Sequence, residues 1–238
     1  MMMGVKENRK LVLPLRVNNQ KAGLLLSLFF VIFFALRNIG TETSSISDSN
    51  LRSNDITRTT AEDDFVYYFA YASDMSHDRL REGSSPDSVP VGIARLKGYK
   101  FGFTSFSKVW KGGVADIVST SDNEDVVWGV LYKVPKTDMP NLDNQKGINK
   151  ADPRYRKLSV VVSLAQAGTH SDHFEATTYC VTDNKREIEP VGPSKQYKKC
   201  ILKGARESKL PKNYRRALGN IQDNGSKYRR KSVGTACD

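Results

Sequence analysis

Metal-binding side chains are scarce in this chain: its 238 residues include three cysteines and three histidines. Cys180, Cys200 and Cys237 are too few and too widely spaced for a zinc knuckle or a disulfide framework. One oxidised pair is compatible with a secretory compartment; the expected bridge is Cys180–Cys200, with Cys237 left free. His77, His170 and His173 stand in polar, loop-like stretches with no partner cluster, which reads as surface rather than a metal site. Acidic residues are also outnumbered, 26 against 37 Lys and Arg, for a formal charge of +11. Such an excess raises the question of a nucleic-acid or anionic-membrane partner. Its placement argues against a DNA-reading face. The cations gather at Lys6, Arg9, Lys10, Arg16 and Lys21, again at Lys227, Arg229, Arg230 and Lys231, and scatter between Lys195 and Arg216. No nucleic-acid-binding motif fits these runs, so they read as solvated surface and topology-setting charge, and no nucleic-acid partner is expected. A weaker alternative gives the C-terminal cluster salt-dependent binding to anionic lipid or another polyanion.

What is present is ordinary globular material, 39% hydrophobic and 26% charged, enough for one domain with extensions. One apolar run stands apart. Ala22 to Leu36 reads AGLLLSLFFVIFFAL and carries no charge. A spanning helix needs about 20 residues, which continuation through Gly40 with Arg37 at the interface supplies. The run fits an uncleaved signal-anchor over 22–40, a cleaved signal core, or a buried helix. The long basic leader and the lack of a small-x-small cleavage site near Gly40 favour the anchor. The leader, 1–21, would stay cytosolic, leaving the rest luminal or extracellular as a type II membrane protein; the alternative is secretion. Residues 41–64 are rich in Ser, Thr, Asn and Asp and read as a flexible linker. A folded domain is expected over 65–222 and a basic tail over 223–238, where Asn224-Gly225-Ser226 forms a glycosylation sequon.

Within the domain, Phe65 to Tyr71 is aromatic and β-branched, a buried first strand that feeds a loop at Ala72-Ser73-Asp74. Val91–Phe103 contains a second strand, Gly113–Ser119 a third and Asp125–Val134 a fourth, with Gly129 marking a bulge or close backbone approach. Pro135 opens a helix that turns Met139 and Leu142 inward. Leu158–Leu164 and Ala176–Val181 are further strands. A helix after Pro193-Ser194 carries Tyr197, Ile201 and Leu202 and ends at Gly204; another begins at Pro211 with Tyr214, Leu218 and Ile221. Many strands followed by few helices predict an α+β fold around a closed or strongly curved mixed sheet.

Several ordered motifs resemble the γ-glutamylcyclotransferase family. Tyr68-Phe69-Ala70-Tyr71 is similar to the start of its Tyr-Phe-Ala-Tyr-Gly-Ser-Asn loop, and Ala94–Tyr99, Trp110–Ile117 and Val127–Tyr132 to its strands. Pro193–Tyr197, Gly204–Glu207 and Leu210-Pro211 with Tyr214 resemble its C-terminal helices. The resemblance implies a small mixed β-barrel with flanking helices, and no metal or organic cofactor. The implied ligand is a γ-glutamyl amino acid or peptide, whose α-amine attacks its own γ-carbonyl to close 5-oxoproline and expel the amino acid. It further implies that Tyr68, Phe69, Ala70, Tyr71, Ala72 and Ser73 cradle substrate, that Tyr197 contacts it, and that position 146 carries the proton acceptor.

Three departures fall in that implied site. The family's Leu-Asp-x-Gln-Glu-Gly segment reads Leu142-Asp143-Asn144-Gln145-Lys146-Gly147 here, so Lys146 replaces the catalytic Glu. Ala72 replaces Gly, and Asp74 replaces Asn. A methyl at position 72 would cost about 1–2 kcal/mol if the backbone there were left-handed. An ordinary lysine has a pKa of about 10.4, which makes it a poor base near neutral pH, and it repels an ammonium substrate. Losing a general base costs roughly 10²- to 10⁴-fold in rate. The expected outcome is a protein with weakened or lost turnover that keeps a pocket for a γ-glutamyl or other carboxylate ligand. The alternative is an active enzyme with a rearranged base: Lys146 itself, Asp143 or Asp74. A solvent-facing Lys146 at a helix end is a further alternative.

Overall fold

The structure, a computed structural model, describes residues 64–165 and 173–226. The basic leader, the apolar segment 22–40, nearly all of the linker, His170 and the cations of the tail lie outside the described residues. Among the described residues no helix is long and apolar enough to cross a membrane.

Five strands close into a barrel in the order β1-β5-β2-β6-β7. Strand β1 (Phe65–Ala70) runs antiparallel to β5 (Val126–Pro135), from Phe65 opposite Pro135 to Ala70 opposite Val130. The barrel closes where β1 meets β7 (His173–Val181) in parallel at Tyr68 and Thr177. Strand β2 (Val89–Lys97) bridges β5 and β6 (Tyr155–Leu164). Full closure removes the unpaired edges that an open sheet of this size would expose. The expected mixed barrel with helices around it is what the chain forms.

Beside the barrel, β3 (Tyr99–Ser107) and β4 (Gly112–Ser119) form a separate two-stranded sheet. The single strand expected within Val91–Phe103 is therefore two. Gly98 divides them at φ +73, a left-handed turn that a glycine adopts without steric cost. Gly129 does mark a close approach: a Cβ there would lie 2.4 Å from the Ala70 carbonyl oxygen.

Among the described residues four helices flank the sheets: α1 (His77–Gly83), α2 (Met139–Lys146), α3 (Lys195–Glu207) and α4 (Lys212–Asn220). Pro135 leads into a 3-10 turn, Lys136–Asp138, and then α2, whose Met139 and Leu142 are buried as expected. Helix α3 starts at Ser194, whose side chain accepts a bond from the Tyr197 N–H at 3.2 Å, satisfying one of the free donors of the first turn. It buries Tyr197, Cys200, Ile201, Gly204 and Ala205, while Leu202 is only half-buried. Gly204 does not end this helix. It lies inside it because the backbone of Met75 and Ser76 passes so close that a Cβ would sit 2.6 Å from the Ser76 nitrogen.

The cysteines correct the expected pairing. Cys180 is a buried free thiol in the barrel core, whereas Cys200, on α3, is disulfide-bonded. A thiol turned into the core from β7 is not presented to α3. His77 is likewise no loop residue: it opens α1, its Nε2 lies 2.9 Å from the Ser88 carbonyl oxygen, and its ring stacks on Tyr132.

Candidate active site

Two local turns bring the site together. Strand β1 ends at Ala70, and the chain passes through Tyr71 and Ala72 into a 3-10 turn, Ser73–Met75, closed by the Met75 N–H on the Ala72 carbonyl at 3.0 Å. Ala72 has φ −124. Its methyl therefore meets no left-handed strain, and the penalty anticipated for replacing glycine does not arise. Across the cavity, α2 stops at Gly147, φ +69, whose N–H donates to the Asp143 carbonyl at 2.8 Å. That stop makes Lys146 the last helical residue, with its side chain turned inward and 19% exposed. It is not a solvent-facing helix-end lysine.

Lys146 Nζ donates to Asp74 Oδ2 at 2.5 Å, joining residues 72 positions apart. The Tyr68 hydroxyl donates to the same oxygen at 3.0 Å. On Oδ1, Ser73 Oγ donates at 3.4 Å and Arg79 Nε lies at 3.4 Å. Asp74 is buried, which alone would raise its pKa. The charge of Lys146, then that of Arg79, and the bonds from Lys146 and Tyr68 outweigh burial and hold the carboxyl down at about 2. In turn, burial and the Asp74 charge push the Tyr68 phenol well above its ordinary value.

Around this cluster lies a cavity of about 660 Å³ lined by five tyrosines: 68, 71, 155, 179 and 197. The Tyr71 hydroxyl donates to the Tyr179 carbonyl at 2.6 Å, fixing the ring between β1 and β7. Tyr197 reaches in from α3; its hydroxyl accepts from the Ala115 N–H at 3.4 Å and its ring packs 4.6 Å from Trp110. Burial, eased by the Ala115 N–H, leaves its phenol at about 12. Trp110 also faces the Arg79 guanidinium at 5.4 Å.

Tyr68, Tyr71, Ala72, Ser73, Tyr197 and Lys146 all line this cavity. Phe69 and Ala70 do not; both are buried in the hydrophobic core, where a Cβ on Gly129 would strike the Ala70 carbonyl and the Phe69 ring. Asp143 is also absent from the lining: its carboxylate accepts from Tyr179 at 2.7 Å and pairs with Lys157 at 2.7 Å. Arg79, Glu82, Tyr155 and Tyr179 join the site without having been anticipated. A larger cavity of about 740 Å³, between Pro90–Ile93 and Ser208–Lys209, includes none of the anticipated site residues.

Residues 126–218 match the AIG2-like family. Over 164 residues the chain is 34% identical to the γ-glutamylcyclotransferase of Bos taurus, covering 67% of this chain and 80% of that one. It is 32% identical to that of Homo sapiens over 167 residues, 68% and 81% of the two chains. A solved structure described as a gamma-glutamyl cyclotransferase superposes with a TM-score of 0.62 at 29% identity, over 73% of this chain and 95% of the other. With a relative of this identity matched along 80% of its length, and the barrel shared, the chain belongs to the γ-glutamylcyclotransferase family.

Proposed function

We propose that this protein keeps the family's cavity as a binding site for a small γ-glutamyl or related carboxylate ligand, with 5-oxoproline formation reduced or lost. The ring closure needs the glutamyl α-amine as a free base. Its nitrogen attacks the γ-carbonyl carbon, the C–N bond to the departing amino acid breaks, and a proton must leave the attacking nitrogen. Proton acceptors work best with a pKa near the operating pH. The single observation that carries the reading is the 2.5 Å pair of Lys146 and Asp74. Position 146 offers donor protons to a carboxylate, and the carboxylate beside it, held at about 2, is a weak acceptor.

A second reading retains turnover with Asp74 as acceptor, favoured by its place on the cavity wall next to position 146. Asp143 has no such support, being turned to Tyr179 and Lys157. Incubating the purified full chain with γ-glutamyl dipeptides and measuring 5-oxoproline separates the two. The expected result is little or no product. Clear turnover that disappears in Asp74→Asn would establish the second reading instead.

We also propose that residues 22–40 tether the domain to a membrane, on its luminal or extracellular side. Support comes from the uncharged apolar run behind a basic leader and from the oxidised Cys200, a state suited to secretory compartments. Asn224 is exposed. A mobility shift on glycosidase treatment, together with protease protection in microsomes, tests the topology; cleavage of the domain in intact microsomes would refute it.

A further inference from the structure

The Asp74–Lys146 pair changes what the cavity floor presents to a ligand. Asp74 already faces four donors, from Tyr68, Ser73, Arg79 and Lys146, so its negative charge is committed within the protein. The side that remains for a ligand is cationic. Arg79, Lys146, Lys150 and Arg154 line the cavity against three carboxylates, Asp74, Glu82 and Asp152. Of these three, Asp152 is ion-paired with Lys185, and Glu82 stands exposed on α1, where water and salt screen it. An incoming ammonium would meet the Lys146 charge with no uncommitted carboxylate beside it. A ligand carboxylate would find Lys146 and Arg79 at the floor.

We propose that this cavity selects small carboxylates whose nitrogen carries no positive charge, N-acylated glutamyl compounds rather than free glutamyl amines, and that Asp74 and Lys146 set this preference as one unit. The inference rests on the binding-site reading above but is measured separately, by affinity rather than turnover. Like charges brought together in a binding site repel, whereas an acyl cap removes the repulsion and leaves the ligand carboxylate in place.

Two probes differing only at that nitrogen test it: γ-glutamyl-alanine and its N-acetyl counterpart, titrated calorimetrically into the full chain. The capped peptide should bind at least about tenfold tighter than the free amine. Equal or tighter binding of the amine, or no binding of the capped peptide, overturns the proposal. Asp74→Asn/Lys146→Glu, which places a carboxylate at 146 and a neutral amide opposite, should reverse the preference. Lys146→Met, which leaves Asp74 with Arg79, Ser73 and Tyr68, should abolish it. Thermal melts show that each variant is folded. An unchanged preference in both folded variants removes the pair from the explanation. Clear turnover of γ-glutamyl-alanine to 5-oxoproline by the parent would refute the reading of reduced or lost turnover whichever peptide binds tighter.

Discussion

Two buried aspartates divide the molecule between holding and binding. Asp116, on β4, is 0% exposed; its Oδ1 accepts from the backbone N–H groups of Ile117 and Val181, both at 2.8 Å, and its Oδ2 from Thr104 and Arg186, also at 2.8 Å. Asp74 is 2% exposed and likewise sees four donors, but every one is a side chain, and it lines a cavity. Backbone donors on β4 and β7 cannot be reassigned without breaking strands, so Asp116 stitches the two-stranded sheet to the barrel. Side-chain donors can swing to a ligand. The same burial and the same number of donors thus make a fixed joint in one place and an adjustable floor in the other.

Exchanging the polarity of the adjustable pair should have the largest effect. Asp74→Asn/Lys146→Glu is expected to raise 5-oxoproline formation by roughly 10²- to 10⁴-fold over the parent. Lys146→Glu alone should gain less, because it sets a second carboxylate against Asp74 and the two resist ionising together. A double variant no faster than the parent would mean that something other than this pair limits turnover. The fixed joint is next: Asp116→Ala takes the acceptor from Thr104, from two buried N–H groups and from Arg186 Nε, whose guanidinium keeps only Asp183 and the Ile117 carbonyl. It should cost about 3–5 kcal/mol in chemical denaturation, a large part of a domain's stability. A loss no greater than that of Asp74→Asn would erase the distinction between the two aspartates.

Acid sharpens the comparison further. The Asp74 carboxyl lies at about 2 in the fold against an ordinary 3.8. Because the folded value is the lower one, its contribution is present above the ordinary value and is lost as pH falls from there towards 2. That contribution is on the order of 2 kcal/mol. Acid unfolding of Asp74→Asn should accordingly be shallower between these two values than that of the parent. The smallest change is Ala72→Gly. With φ at −124, glycine relieves nothing and only loosens the unfolded chain, so stability should fall by about 0.4–1 kcal/mol. A gain in stability would point to strain at position 72 after all.

Much of the barrel was legible because its signals are local. The aromatic β-branched run of β1, the apolar run from Val126 to Tyr132 in β5, Pro135 before a helix and Ser194 at a helix start each act within a few residues. Helix α1 escaped notice because its seven residues bury only Leu80, too few for a helical period to show. With it went Arg79, one of the two cations on Asp74. Gly204 looked like a helix end, since nothing local tells of Met75 and Ser76, distant in the chain, pressed against it. Phe69 and Ala70 sit inside the loop motif, yet both are packed into the core and neither reaches the cavity lining.

The chain by itself determined most of the strands and helices and the identities of the groups at positions 72, 74 and 146, since strand propensity, turns and caps are short-range effects and residue chemistry needs no fold. Only the tertiary structure decided that Lys146 and Asp74 neutralise each other and that Ala72 escapes strain. Direct ion pairing depends on distances of a few ångströms between atoms, and only the packing of the turn after β1 against the end of α2 brings residues 72 positions apart to that range.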